Sequence, residues 1–258
     1  MDLLTIKNLR YDNLNLSLNV KKGDIYFIIG ENKCGKTTLL KICSGDIITN
    51  NSLYLEGKIL KNKDNYQNIN MVERVSNNSF YYKKVLDELL FPLLKKGYSK
   101  DSSINLIKEY LGRFDLLRII DKNISNLNIY EKQVLLIIIS LLNKPKLLLM
   151  DNPLGILKSD DAIKIMNILK KLCDDYLTVI YFSNNLNYSS FASRILLLNK
   201  DGCIGEFTYQ DIFDNDKVFY DNNIEIPLMT DLCIKLKMYN LISKNYDDIK
   251  SLVDDIWD

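Results

Sequence analysis

The sequence predicts an α/β fold built on a mostly parallel β-sheet with helices on both faces. Three observations carry this. Four short apolar runs, residues 24–29, 146–150, 177–182 and 195–198, alternate with stretches of helical periodicity. Each run ends in polar or glycine-containing sequence, and open α/β sheets place ligands at the C-terminal ends of their strands. Residues 83–122 are amphipathic and helical in character with no comparable strand, the pattern of a helical subdomain inserted between the two halves of the sheet.

The first strand runs into Gly30-Glu31-Asn32-Lys33-Cys34-Gly35-Lys36-Thr37, a gapless match to GxxxxGK[ST], and Thr38-Leu39-Leu40-Lys41-Ile42 after it reads as a helix. Strand, glycine loop and helix in that order form a phosphate cradle. Glycines let the backbone wrap an anion, and free N–H groups at the helix N-terminus point at it. Lys36 is expected to reach the β- and γ-phosphates of a nucleotide, and the Thr37 hydroxyl to bind Mg²⁺. Gly30, Asn32, Lys33, Cys34, Gly35 and Thr38 complete the cradle. Cys34 reads as a small residue in a tight loop; the alternative is a thiol whose modification would block nucleotide.

Composition excludes several other chemistries. The chain has 258 residues, room for one large domain and a small appendage, and 47% of them are apolar. A formal charge of +1 gives no basic platform, so no nucleic-acid partner is expected. Five cysteines, none spaced as CxxC, suit a reduced compartment and supply no zinc site. No histidine is present, which removes His-containing triads, His-ligated metals and imidazole pH switches. The longest apolar run, residues 134–142, reads as a helix buried on all sides and falls far short of the roughly 18 residues a membrane span needs. Charges near the N-terminus exclude a signal peptide there.

The second strand decides which family the chain resembles. Leu147-Leu148-Leu149-Met150-Asp151-Asn152-Pro153 is similar to the apolar strand ending in Asp-Glu-Pro of ABC nucleotide-binding domains. Leu127-Asn128-Ile129-Tyr130-Glu131-Lys132-Gln133 falls where that family carries LSGGQ, and Thr178-Val179-Ile180-Tyr181-Phe182-Ser183-Asn184-Asn185 resembles the strand that normally ends in Thr-His-Asp. The resemblance spans about residues 4–207. Within the family, Val85-Leu86-Asp87-Glu88-Leu89-Leu90-Phe91, Gly205-Glu206-Phe207 and Ile226-Pro227-Leu228-Met229-Thr230-Asp231-Leu232 most resemble the ATPase subunits of energy-coupling-factor importers.

That resemblance implies a P-loop NTPase of ABC type, with an N-terminal antiparallel β part and a helical subdomain at about 83–126. An ATP-binding domain would cover 1–208, and a small, dimerising extension 209–258. ATP and Mg²⁺ would be the cofactors, with Asp151 holding the metal through water and Tyr11 stacking on adenine. The partners would be a second ABC ATPase subunit and a membrane-embedded transporter subunit, placing the chain in the cytoplasm on the inner face of the membrane.

The departures from the family pattern are as informative as the matches. Asn152 replaces the glutamate that polarises the attacking water, and Asn184 replaces the switch histidine. Arg74 falls at the Q-loop glutamine, and Lys158 at the D-loop aspartate. In the signature, Ile129 and Tyr130 add bulk where glycines allow close approach to a partner's nucleotide, while Asn128 still suits a helix cap. Weak or absent hydrolysis is the expectation. Because both the P-loop half and the signature half are altered, this chain would impair both sites of a heterodimer. A nucleotide-dependent regulatory or assembly protein, and an active ATPase using unfamiliar residues, are the alternatives.

Overall fold

The structure, a computed structural model, describes residues 1–49 and 52–246 and, by backbone alone at its last three positions, 249–257. Residues 50, 51, 247, 248 and 258, which fall inside the two expected domain spans, lie outside the described residues. In chain order come β1 (Asp2–Tyr11), β2 (Leu14–Lys21), β3 (Ile25–Gly30), α1 (Lys36–Ser44), β4 (Leu53–Leu55), β5 (Lys58–Ile59) and β6 (Ile69–Val72). Then follow α2 (Val85–Lys95), α3 (Lys100–Arg113), α4 (Ile129–Leu142), β7 (Leu147–Asp151), α5 (Ser159–Asp175), β8 (Thr178–Ser183), β9 (Arg194–Asn199) and β10 (Gly202–Phe207). The C-terminal part is helical: α6 (Asp211–Asp214), α7 (Asp216–Asp221), α8 (Leu228–Met238) and α9 (Ile249–Trp257).

Two sheets result. One is antiparallel, in the order β2-β1-β4-β5. The other runs β10-β9-β3-β8-β7-β6 and is parallel except for its β9–β10 edge. The N-terminal antiparallel part and the mostly parallel sheet are thus both present. The central strands are apolar without interruption because both of their faces are covered. Ile25, Phe27 and Ile29 of β3 point into a core shared with α2, α3, α4 and α5, while Tyr26 and Ile28 point to the other core, with α1 and the antiparallel sheet. β7, β8 and β9 alternate in the same way, as the two-residue repeat of a strand requires.

The strands run one residue beyond the apolar runs of the sequence. Gly30 pairs with Leu198 and Asp151 with Phe182, so backbone hydrogen bonding continues past the last apolar side chain. β6 was not legible: it has four residues, lies at the sheet edge and leaves Met71 exposed. The stretch read as a helical insertion carries α2 and α3, and its two ends meet where Val85 N–H donates to the Lys122 carbonyl at 3.1 Å and Ile124 N–H to the Lys83 carbonyl at 2.8 Å. α4 is buried over most of its circumference, with Leu136 and Ile139 only partly covered.

Candidate functional site: a phosphate cradle facing two amides

β3 delivers Gly30 and α1 begins at Lys36, so the chain reverses over five intervening residues. A Cβ on Gly30 would come within 2.3 Å of the Leu198 carbonyl oxygen and 2.5 Å of Cys34 Sγ. Gly35 caps α1 at φ +99°, a left-handed conformation that glycine alone adopts freely. Cys34 is fully buried beneath the loop, a small packed side chain. Lys36 Nζ donates to the carbonyls of Gly30 and Glu31, both at 2.6 Å. A phosphate at this position would exchange two neutral acceptors for anionic ones, adding charge–charge attraction to hydrogen bonds the ammonium already makes. The Glu31 carboxylate is engaged from the C-terminal side, accepting from Asn223 Nδ2 and lying 4.0 Å from Lys200 Nζ.

A cleft of about 970 Å³ opens over this loop. Asn32, Lys33, Gly35, Lys36, Thr37 and Thr38 line one side, and Asp151, Asn152 and Asn184 line it from the ends of β7 and β8. The fold therefore gathers the exposed residues of the phosphate loop with Arg74, Asp151, Asn152 and Asn184. Gly30 and Cys34 lie beneath the surface as supports. Tyr11, 40% exposed at the end of β1, stands beside the cleft-lining Asp12 without lining the cleft itself.

Asp151 is half-buried, and burial pushes its carboxyl above the ordinary carboxylate range; the charges of Arg74 and then Lys36 oppose the rise. Its oxygens and the Thr37 hydroxyl face one cleft, a hard-donor set suited to Mg²⁺. Asn152 adopts φ 45° at the start of a 3-10 turn, Pro153–Ile156. Tyr181 donates its hydroxyl to Asn152 Oδ1 at 3.2 Å, and Asn152 Nδ2 lies 3.5 Å from Asn184 Oδ1, a weak contact. The two amides thus stand side by side just beyond β7 and β8, and neither can take a proton at neutral pH.

Arg74 reaches the same place from the loop after β6, its Nε donating to the Asn152 carbonyl at 3.0 Å. That loop is held by Gln133, a fully buried side chain of α4 whose Nε2 donates to the Glu73 carbonyl at 3.1 Å and whose Oε1 accepts from Val75 N–H at 2.8 Å. The anchoring by Gln133, the Tyr181 hydroxyl and the cleft positions of Asp12, Asn13, Glu73 and Ser183 were missed in the sequence. A polar side chain leading into the apolar run of α4, and a tyrosine inside a buried strand, were the available signals; Glu73 offered none.

The signature residues lie outside this cleft. Asn128 caps α4 in a reciprocal box: its Oδ1 accepts from Glu131 N–H at 2.9 Å, and its own N–H donates to Glu131 Oε2 at 3.1 Å. Arg118 pairs with Glu131 at 3.1 Å. Ile129 is 54% exposed and Tyr130 half-buried, so the added bulk stands at the helix start. Lys158 is exposed immediately before α5.

Comparison with known proteins agrees with this fold. A family model described as ABC transporter matches residues 14–155. A protein of Methanocaldococcus jannaschii named as an ABC transporter ATP-binding protein is 30% identical over 233 residues, covering 86% of this chain and 82% of its own. A Streptococcus thermophilus energy-coupling factor transporter ATP-binding protein is 24% identical over 271 residues, covering 99% of this chain and 98% of its own. Among solved structures, cbiO1 of Clostridium perfringens, part of the ABC transporter complex cbiONQ, superposes with a TM-score of 0.78 at 19% identity, over 90% of this chain and 99% of that one. By sequence and by fold, the chain belongs to the ABC transporter family, as one of its ATP-binding subunits.

Proposed function

We propose that this chain is a motor subunit of an energy-coupling-factor-like importer that binds Mg-ATP and hydrolyses it weakly or not at all. The observation that carries the proposal is the pair Asn152 and Asn184, side-by-side amides across a cleft from an intact Lys36–Thr37 cradle. Losing a positioned general base typically costs about 10²–10⁴ in rate. Asp151 and Thr37 would hold Mg²⁺, which would neutralise phosphate charge. Lys36 grips the phosphates, and Tyr11, 40% exposed next to the cleft-lining Asp12, stacks on the base.

The subunit pairs with a second, more active ABC ATPase and docks on a membrane-embedded partner from the cytoplasmic side. No helix among the described residues is long and apolar enough to cross a membrane. Two grooves beside the helical insertion support docking. One, of about 520 Å³, includes Phe80, Tyr82 and Ile129; the other, of about 380 Å³, includes Met71, Pro92, Leu136 and Ile139. Exposed Leu228, Met238 and Leu241 support a dimerising role for the C-terminal extension from residue 209.

The test is equilibrium ATP binding and steady-state turnover on the purified chain. Binding with turnover at background is expected. Robust turnover that disappears in Lys36→Ala would overturn the reading. Recovery of the chain from membranes with a second ATPase and an integral membrane protein checks the partners.

A further inference from the structure

The cleft holds three cationic side chains, Lys33, Lys36 and Arg74, and three anionic ones, Asp12, Glu73 and Asp151. Arg74 is the one whose position asks for a ligand. Arg74 is exposed and, among the described residues, makes no ion pair; its charge acts on the Asp151 carboxyl, and its Nε is satisfied by the neutral Asn152 carbonyl. An arginine stays charged at all relevant pH values, so its charge remains available to an anion entering the cleft. The surroundings are built to keep it there. Gln133 pins the backbone on both sides of it, at the Glu73 carbonyl and the Val75 N–H. Gly155 leaves the room it occupies: a Cβ at that glycine would come within 2.9 Å of Arg74 Nη2 and 2.7 Å of Asn152 Oδ1.

We propose that Arg74 is a nucleotide-binding residue, a built-in cation that pairs with the terminal phosphate of ATP in the cleft it shares with Lys36. The inference rests on the reading of this cleft as an ATP site and deepens it. A guanidinium presents a planar fork that can bind phosphate bidentately. The charge it supplies duplicates part of what Mg²⁺ supplies to a triphosphate. Two consequences follow for this chain: ATP binding tolerates removal of divalent metal, and ATP is favoured over ADP even without metal, since only ATP carries the phosphate that Arg74 would hold.

The experiment is equilibrium binding of ATP and ADP, with Mg²⁺ and with EDTA, to the wild-type chain, Arg74→Gln and Arg74→Lys, with thermal unfolding as the check on folding. The wild type is expected to keep its ATP affinity in EDTA within about tenfold of the Mg²⁺ value, one charged hydrogen bond's worth. In EDTA, Arg74→Gln should lose about tenfold or more for ATP and little for ADP, with Arg74→Lys between the two because it keeps the charge and loses the fork. An unchanged ATP-to-ADP ratio in Arg74→Gln overturns the proposal, as does wild-type binding that vanishes in EDTA. Either of those results leaves ATP binding with Mg²⁺ intact. Absence of ATP binding under both conditions instead overturns the ATP site itself, and Arg74's role with it.

Discussion

Asn152 is the residue on which the chemistry of this cleft turns, and its surroundings matter as much as its identity. Tyr181 holds its side-chain oxygen, its nitrogen is turned toward Asn184, and Arg74 holds its backbone carbonyl. Asn152→Glu restores a carboxylate but leaves a phenol to hydrogen-bond it, a guanidinium beside it and an amide at the switch position. The expected gain in steady-state ATPase is under about tenfold, against the 10²–10⁴ that a working general base contributes. A gain of about a hundredfold would show that Asn152 alone limits the rate.

Asp151 gives a second prediction at this scale. Burial raises its carboxyl above the ordinary value, so it holds a proton at a pH where an exposed aspartate has lost it. Mg²⁺ must compete with that proton, and the metal-dependent part of ATP affinity should weaken on acidification before pH reaches about 4. Titrating ATP affinity with and without Mg²⁺ isolates the effect. For folding the sign is opposite. The native state binds this proton more tightly than the unfolded chain, so the Asp151 contribution to stability falls as pH rises through the interval between the two values.

At the scale of elements, α4 joins two features that sequence spacing keeps apart. Its N-terminus is capped by Asn128 and Glu131, and one turn later Gln133 ties it to the loop that carries Arg74. The tie is made with a buried amide, both ends satisfied. Gln133→Ala leaves the Glu73 carbonyl and the Val75 N–H without that partner, and should destabilise the chain by about 1–3 kcal/mol in denaturant unfolding. It should also free the Arg74 loop, seen as faster hydrogen exchange at residues 73–75. A destabilisation without faster local exchange would mean that Gln133 merely fills space.

Across the whole molecule, the C-terminal helices reach back to the phosphate loop. The turn after α7 carries Asn222, bonded to Asn199 at the end of β9, and Asn223, bonded to Glu31. Asn223→Gly, which removes the side chain and suits the left-handed backbone there (φ 54°), should loosen residues 31–36, read as faster amide exchange, while global stability changes by no more than about 0.5 kcal/mol. Unchanged exchange would leave the turn as a passive neighbour of the loop. A loosened loop, by contrast, would link whatever binds the C-terminal extension to nucleotide affinity.

What the sequence determined by itself is local. GxxxxGK[ST] between an apolar strand and a helix specifies its own backbone, because glycines and helix start must sit at fixed offsets. The four central strands were legible because both of their faces are buried, which leaves an uninterrupted apolar run. Asn128 as a cap followed from its residue type, and the structure added Glu131 as the reciprocal partner. Tertiary structure alone decided the rest. β6 is an edge strand too short to carry a pattern, and its pairing with β7 is what brings Glu73 and Arg74 to the cleft. The contacts of Tyr181 with Asn152, Gln133 with the Arg74 loop, and Asn223 with Glu31 join residues 29, about 60 and 192 positions apart. Pairings at such separations are set by how the sheet stacks its strands and helices, and no local periodicity encodes them.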